Sequence, residues 1–125
     1  MIKMRGEVFW VLGNFSFKGN HKSIQNDYDR TANKIEDAII EEHMIKFQTG
    51  LFSEGNSEYS YEVTLFNDSA NLFKGSFKIL SETGGSGDVK CELYENSKAY
   101  FLYGEWIEDS NCYTWWARIK KEIKP

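Results

Sequence analysis

Residues Lys98 to Lys121 constrain this chain more than any other stretch. They read KAYFLYGEWIEDSNCYTWWARIKK, two aromatic-rich runs joined by the turn-forming cluster Glu108, Asp109, Ser110 and Asn111. That is the pattern of a β-hairpin, not of a helix. A two-residue loop at Asp109-Ser110 sets Tyr100, Leu102, Gly104 and Trp106 opposite Ile119, Ala117, Trp115 and Tyr113, which makes one face continuously apolar. Moving the turn to Ser110-Asn111 shifts the pairs and leaves the same residues on that face. In this pairing Gly104 faces Trp115, and a residue without a side chain makes room for the indole. The opposite face carries Glu105, Thr114, Trp116, Arg118 and Lys120 with Phe101 and Tyr103, so it needs partial cover. Three of the chain's four tryptophans fall here. The hairpin is a core element, and it contains no catalytic motif.

The rest of the chain supplies more strands. From Arg5 to Lys18 apolar residues occupy both faces of an extended segment, with a bend or bulge at Gly13-Asn14. Met44 to Gln48 reads as a short strand and Gly50 to Ser57 as a loop. Tyr59, Tyr61, Val63 and Leu65 then alternate with polar residues up to a turn at Asn67-Asp68-Ser69. Phe73, Gly75, Phe77 and Ile79 alternate with Lys74, Ser76 and Lys78. The stretch Ser81 to Gly87, SETGGSG, reads as a flexible hairpin loop. Val89, Cys91 and Leu93 follow, and a turn at Asn96-Ser97 places them against Tyr100, Leu102 and Gly104, on the apolar face already inferred.

One stretch differs. Ile24, Tyr28, Ala32, Ile35 and Ile39 recur at helical intervals, with Lys34, Glu36, Asp37, Glu41 and Glu42 mainly on the other side. Ser23 or Asp29 can cap a start. The spacing predicts one α-helix over Thr31 to Glu42, extending back towards Ser23, lying against a sheet. The fold expected is therefore mainly β: an antiparallel up-and-down meander of seven or eight strands, with one α-helix after the first strand. Its strands curl into a barrel or a half-barrel, and closure is favoured because it removes exposed strand edges. A chain of 125 residues with 41% hydrophobic and 16% aromatic content is long enough for one domain, 1–125, with a real core.

With Gly104-Glu105-Trp106 and Tyr113-Thr114-Trp115-Trp116-Ala117-Arg118, the last third of the chain resembles the calycin-type barrels, the lipocalin and fatty-acid-binding group. The resemblance implies an internal pocket for a small, partly apolar ligand. In lipocalins the Gly-x-Trp signature lies on the first strand, where this chain has Gly6 and Trp10, so no residue role is carried over by position.

From the residues themselves, the inward set is Tyr59, Tyr61, Phe73, Phe77, Tyr100, Trp106, Tyr113 and Trp115. An aromatic face in a small sheet is ordinarily plain core, but tyrosine hydroxyls and indole N–H groups need partners when buried. The candidate ligand-binding residues are Tyr61, Phe77, Tyr100, Trp106, Tyr113 and Trp115, with the 81–87 and 50–57 loops at the pocket mouth and the helix as a lid. The alternative is a protein-binding module of the inhibitor or immunity type, with a solid core and an outer patch of Phe101, Tyr103, Glu105 and Trp116.

Other functions are disfavoured. A net charge of -4 with a pI near 5.2 argues against a general nucleic-acid binder, which needs a concentrated basic surface. No apolar run approaches the roughly 20 residues of a membrane span. Val8 to Leu12 is too short for a leader and lacks a cleavage site, so a cytoplasmic chain without membrane contact is expected. Glu62, Glu92 and Glu105 read as solvated strand residues balanced by Lys74, Lys78, Lys90 and Arg118. His21 and His43 have no metal-ligand spacing with Cys91 or Cys112. The two cysteines read as buried thiols, with a disulfide between them left open. No GxSxG, P-loop or GxGxxG motif is present, so neither enzyme chemistry nor a cofactor is expected. The partner is a small molecule or another protein.

Overall fold

The computed structural model describes residues 4–12, 15–18, 21–24, 28–29, 33–54, 57–81, 84–109 and 111–121. Their strands are β1 (Met4–Leu12), β2 (Phe15–Lys18), β3 (His21–Ile24), β4 (Tyr28–Asp29), β5 (Asn33–Ile40) and β6 (Met44–Thr49), then β7 (Phe52–Glu54), β8 (Ser57–Ser69), β9 (Leu72–Leu80), β10 (Ser86–Glu95), β11 (Ala99–Glu108) and β12 (Asn111–Lys120). Eight of them pair in the order β1-β5-β6-β8-β9-β10-β11-β12, and β12 pairs back with β1. The sheet is a closed antiparallel barrel. Closure leaves the eight barrel strands without a free edge to template pairing with another chain. β2 and β3 pair with each other, β4 pairs with the end of β1, and β7 pairs with the start of β8.

Because successive barrel strands reverse direction, the connections sort onto two rims. The lower rim holds tight turns at 41–43, 70–71 and 96–98, with the start of β1 and the end of β12. The upper rim holds the end of β1 and the start of β5, and the strand ends at Thr49 and Ser57, Leu80 and Ser86, and Glu108 and Asn111. All of the longer excursions therefore leave from one end.

No helix occurs among the described residues, and the segment from Asn33 to Ile40, expected to be helical, is β5. The reason is a β-bulge. Asp37 sits at φ +52. Opposite β1, Gly6 pairs with Ile35 while Met4 pairs with Ala38, so two residues on β5, Glu36 and Asp37, match one on β1, Arg5. The register also slips against β6 between Glu36 and Ile39. An extra residue in a strand turns two side chains three positions apart to the same face, so Ile35 and Ala38 are both buried. The helical reading counts Ile35 with Ile39 instead, four positions on, and Ile39 is only half-buried.

The last hairpin pairs as the alternation requires: Tyr100 with Ile119, Leu102 with Ala117, Gly104 with Trp115, Trp106 with Tyr113 and Glu108 with Asn111. Asp109 opens its loop at φ +50. Two other turns fall elsewhere than expected. The β8–β9 turn lies at Ala70-Asn71, beyond a slip between Asn67 and Ser69, where the Asn67 side-chain amide donates to the carbonyls of Ala70 and Leu72 at 2.9 and 3.3 Å. The β10–β11 loop runs from Asn96 to Ala99, because the Asn96 side-chain oxygen accepts from the backbone N–H groups of Lys98 and Ala99. Leu93 consequently pairs with Leu102, Cys91 with Gly104 and Val89 with Trp106, two residues from the expected register. A shift of two leaves every side chain on its face. β7 takes up part of the expected 50–57 loop, and the expected bend at Gly13-Asn14 lies outside the described residues.

Inside, the barrel changes character along its axis. Towards the lower rim it is packed with Met4, Ala38, Ile45, Leu65, Leu102, Ala117 and Ile119 and one buried ring, Phe73, with the half-buried Tyr100 beside them. Towards the upper rim the buried side chains become Trp106, Trp115, Tyr61, Phe77, Phe47, Tyr113 and Thr49.

Candidate functional site

The aromatic side chains of the upper half pack on one another. Trp106 stacks on Phe77, with centroids 4.5 Å apart and planes 14° apart. Tyr61 stands edge-on to Trp106 at 5.2 Å and to Phe77 at 5.4 Å. Trp115 stands edge-on to Trp106 at 5.8 Å and leans against Phe47 at 5.9 Å. These are the offset and T-shaped arrangements that ring quadrupoles favour. Nothing fits between rings at these distances, so the cluster forms a floor across the barrel.

Above that floor is a charged group. Glu108 follows Trp106 by two residues and so points to the same side of β11. The Tyr61 hydroxyl donates to it at 3.1 Å from both carboxylate oxygens. The Trp106 indole N–H donates to Oε1 at 3.1 Å. Tyr61 is 3% exposed and Trp106 1%, so the polar atoms of two buried rings converge on one half-buried carboxylate at the upper rim. Beside them Tyr59, half-buried, stands edge-on to Tyr61 at 5.8 Å. Thr49 tightens the same level, accepting the Tyr61 backbone N–H at 2.9 Å and donating to the Gly50 carbonyl at 3.0 Å.

Of the residues expected to bind a ligand, Tyr61, Phe77, Trp106, Tyr113 and Trp115 are brought together in the upper half. Tyr100 is not. It lies six positions from Trp106 along β11, roughly 20 Å away at strand rise, near the lower rim, with the Lys121 ammonium 4.8 Å from its ring centroid. Glu108 was missed because it read as part of the turn. The signal was its parity: it is the charged residue that the alternation of the last hairpin puts on the apolar face.

The alternative patch also exists, on the outside. Trp116 stacks on Phe9 across β12 and β1 at 5.5 Å and 12°, and its other ladder neighbour is Tyr103. Tyr103 is 55% exposed and Trp116 37%, with Tyr94 exposed near by and Phe101 half-buried opposite Tyr94. Tyr94 donates a hydrogen bond to Glu92, which raises its pKa above the usual phenol value. Glu105 is ion-paired with Lys90 at 3.4 Å, at the edge of a shallow outer depression of about 330 Å³ that also borders Tyr103 and Thr114. Glu62 lies opposite Lys78, as the solvated reading of these acids requires.

The cysteines are not bonded to each other. Cys91 points inwards, opposite Gly104, and Cys112 outwards, opposite Ile107. Burial, assisted by the neighbouring charge of Glu92, pushes the Cys91 thiol up to about 12. Among the described residues no three His, Cys, Asp or Glu side chains converge on a point that could hold a metal ion.

No family model matches the chain, and neither does any curated protein. A solved structure does: a redesigned beta barrel, at TM-score 0.56 over 95% of this chain and 90% of that one, with 6% sequence identity. At that identity the likeness concerns the fold alone. The chain is thus a small closed antiparallel β-barrel with an aromatic upper interior. The comparison does not place it in the calycin group.

Proposed function

We propose that this protein binds a small, partly apolar ligand at the upper end of its barrel, without enzymatic chemistry. The observation that carries the reading is the inward carboxylate of Glu108, held by the polar atoms of two buried rings, at the end of the interior where the aromatic side chains gather. A barrel filled only for stability has no need of polar atoms at one end of its interior, since aliphatic side chains pack without hydrogen-bond obligations. The ligand rests on the ring floor, not between the rings, with its polar group towards Glu108. The strand ends at that rim, with Gly50, Leu51, Gly84 and Gly85 beside them, provide its mouth. This replaces the helical lid expected from sequence.

The test is binding of a hydrophobic fluorescent probe, 1-aminoanthracene, to the native protein, followed in parallel by the indole N–H signals in ¹H–¹⁵N spectra. Saturable binding that shifts the Trp106 indole signal supports the reading. Binding only after partial unfolding, with no shift of Trp106, overturns it. If instead Trp116 shifts while Trp106 is silent, the outer patch of Phe101, Tyr103 and Trp116 becomes the binding surface, and the interior reading falls.

A further inference from the structure

We infer that the upper end selects a cationic ligand, one presenting an ammonium group on an apolar body. The inference rests on the proposed ligand site and adds the chemistry of what it takes.

The argument starts from the partners of Glu108. Both donors that reach it, the Tyr61 hydroxyl and the Trp106 indole N–H, are neutral. They orient the carboxylate but bring no positive charge to it. Among the described residues the ion pairs are Lys74 with Asp68, Lys90 with Glu105 and Lys121 with Glu95, and none involves Glu108. A carboxylate offers about four lone-pair directions. Oε1 receives both Tyr61 and Trp106, whereas Oε2 receives Tyr61 alone, so acceptor capacity remains on Oε2. Among the described residues Glu108 has no countercharge, and a half-buried carboxylate above a floor of buried rings is then an incomplete electrostatic pair.

The surroundings complement a cation as well. Tyr61 and Trp106 reach the carboxylate with their polar edges, and Tyr59, half-buried, stands edge-on to Tyr61 at 5.8 Å; an aromatic face that an ammonium group can reach attracts it. An ammonium has three N–H donors, enough to engage Oε2 while resting against a ring. Its apolar body then lies on the floor of Tyr61, Phe77 and Trp106. An anionic ligand meets repulsion from Glu108, and a neutral alcohol of the same shape gives up the charge-assisted hydrogen bond, a difference of about ten- to a hundredfold in affinity.

The experiment uses three ligands with one body: 1-naphthylmethylamine, 1-naphthylmethanol and 1-naphthoic acid. Each is titrated by calorimetry into the wild-type protein and into Glu108→Gln, whose amide oxygen still accepts from Tyr61 and Trp106. Wild type is expected to bind the amine about ten- to a hundredfold more tightly than the alcohol, with the acid weakest. Glu108→Gln should bring the amine down to the alcohol and leave the alcohol unchanged. Equal affinity of amine and alcohol for wild type overturns the inference and leaves the ligand site standing, and so does a preference that survives in Glu108→Gln. Failure of all three ligands to bind, with Trp106 unshifted, removes both. If Glu108→Gln does not fold, the wild-type ratio decides, together with its fall as salt is raised.

Discussion

Replacing Gly104 by alanine tests how tightly the barrel wall is bent. A Cβ placed on Gly104 lies 1.9 Å from the Lys90 carbonyl oxygen and 2.6 Å from Cys91 Cα, both backbone atoms of β10. Neither can rotate away, so the β10–β11 ladder has to part. The same Lys90 carbonyl accepts the Trp115 indole N–H at 3.2 Å, a donor shared with the Glu105 carbonyl at 3.2 Å. The substitution therefore combines overpacking, about 1–3 kcal/mol, with damage to the hydrogen bonds of a fully buried indole, about 1–3 kcal/mol. The expected loss is about 2–6 kcal/mol, a large share of the roughly 5–15 kcal/mol that holds a domain folded. Urea denaturation followed by tryptophan fluorescence measures it. Gly75→Ala, whose Cβ falls 1.9 Å from the Thr64 carbonyl, should behave alike. A loss below about 1 kcal/mol in both variants would show that the wall yields easily, and would refute the argument from close approach.

Trp115→Ala, at a side chain with no exposed surface, should cost about 3–5 kcal/mol in the same assay; a loss within error would remove the inward assignment of β12. Cys112, half-buried on the outer face, should react with iodoacetamide in the native protein while Cys91 reacts only on unfolding. The Cys91 thiol keeps its proton in the fold up to about 12, against an ordinary value of 9.0. The native state therefore holds more protons than the unfolded chain between those values, and stability present below pH 9.0 is lost at about 1.4 kcal/mol per pH unit as pH rises through the window. Cys91→Ala should lose stability less steeply there, and an identical slope would contradict the assignment.

The parts of the fold legible in the sequence were those governed by period-two alternation. Faces survive errors of register: the β10–β11 pairing is displaced by two residues from expectation, yet Val89 and Cys91 still point inwards with Trp106 and Leu102. Turn positions were less legible, because asparagine side chains reach several residues forward. Asn67 and Asn96 move their turns by bonding to backbone groups that composition does not reveal. The aromatic floor could be listed residue by residue but not placed across strands, since nothing local says which end of a strand meets which rim; Tyr100 joined Trp106 by face alone, although six positions at strand rise already separate them by roughly 20 Å. Glu108 was hidden by a different ambiguity. A charged residue next to a turn reads as solvated; its parity puts it on the inner face, and the position of Tyr61, 47 residues earlier in the chain, shows which group it meets there.

The missed strand has the most direct test, because the helical and the bulged readings of Asp37 rank the same substitutions in opposite orders. In a helix interior valine and aspartate have similar propensities, and glycine is worse than either by a few tenths of a kcal/mol. At φ +52 the order turns round. The left-handed conformation costs an L-residue roughly 1–2 kcal/mol, falling hardest on a β-branched side chain, while glycine adopts it freely. Part of glycine's gain is offset by the freedom it adds to the unfolded chain, about 0.4–1 kcal/mol. Asp37→Gly is therefore expected to lie within about 0.5 kcal/mol of wild type, and Asp37→Val about 1–2 kcal/mol below it. The residue is exposed, so packing does not intrude on the comparison. Valine is also the better strand former, and at an ordinary outward strand position it would stabilise. Urea midpoints for the two variants settle the matter: Asp37→Val as stable as Asp37→Gly, or more so, would remove the bulge, and with it the reason why Ile35 and Ala38 share one face of the barrel.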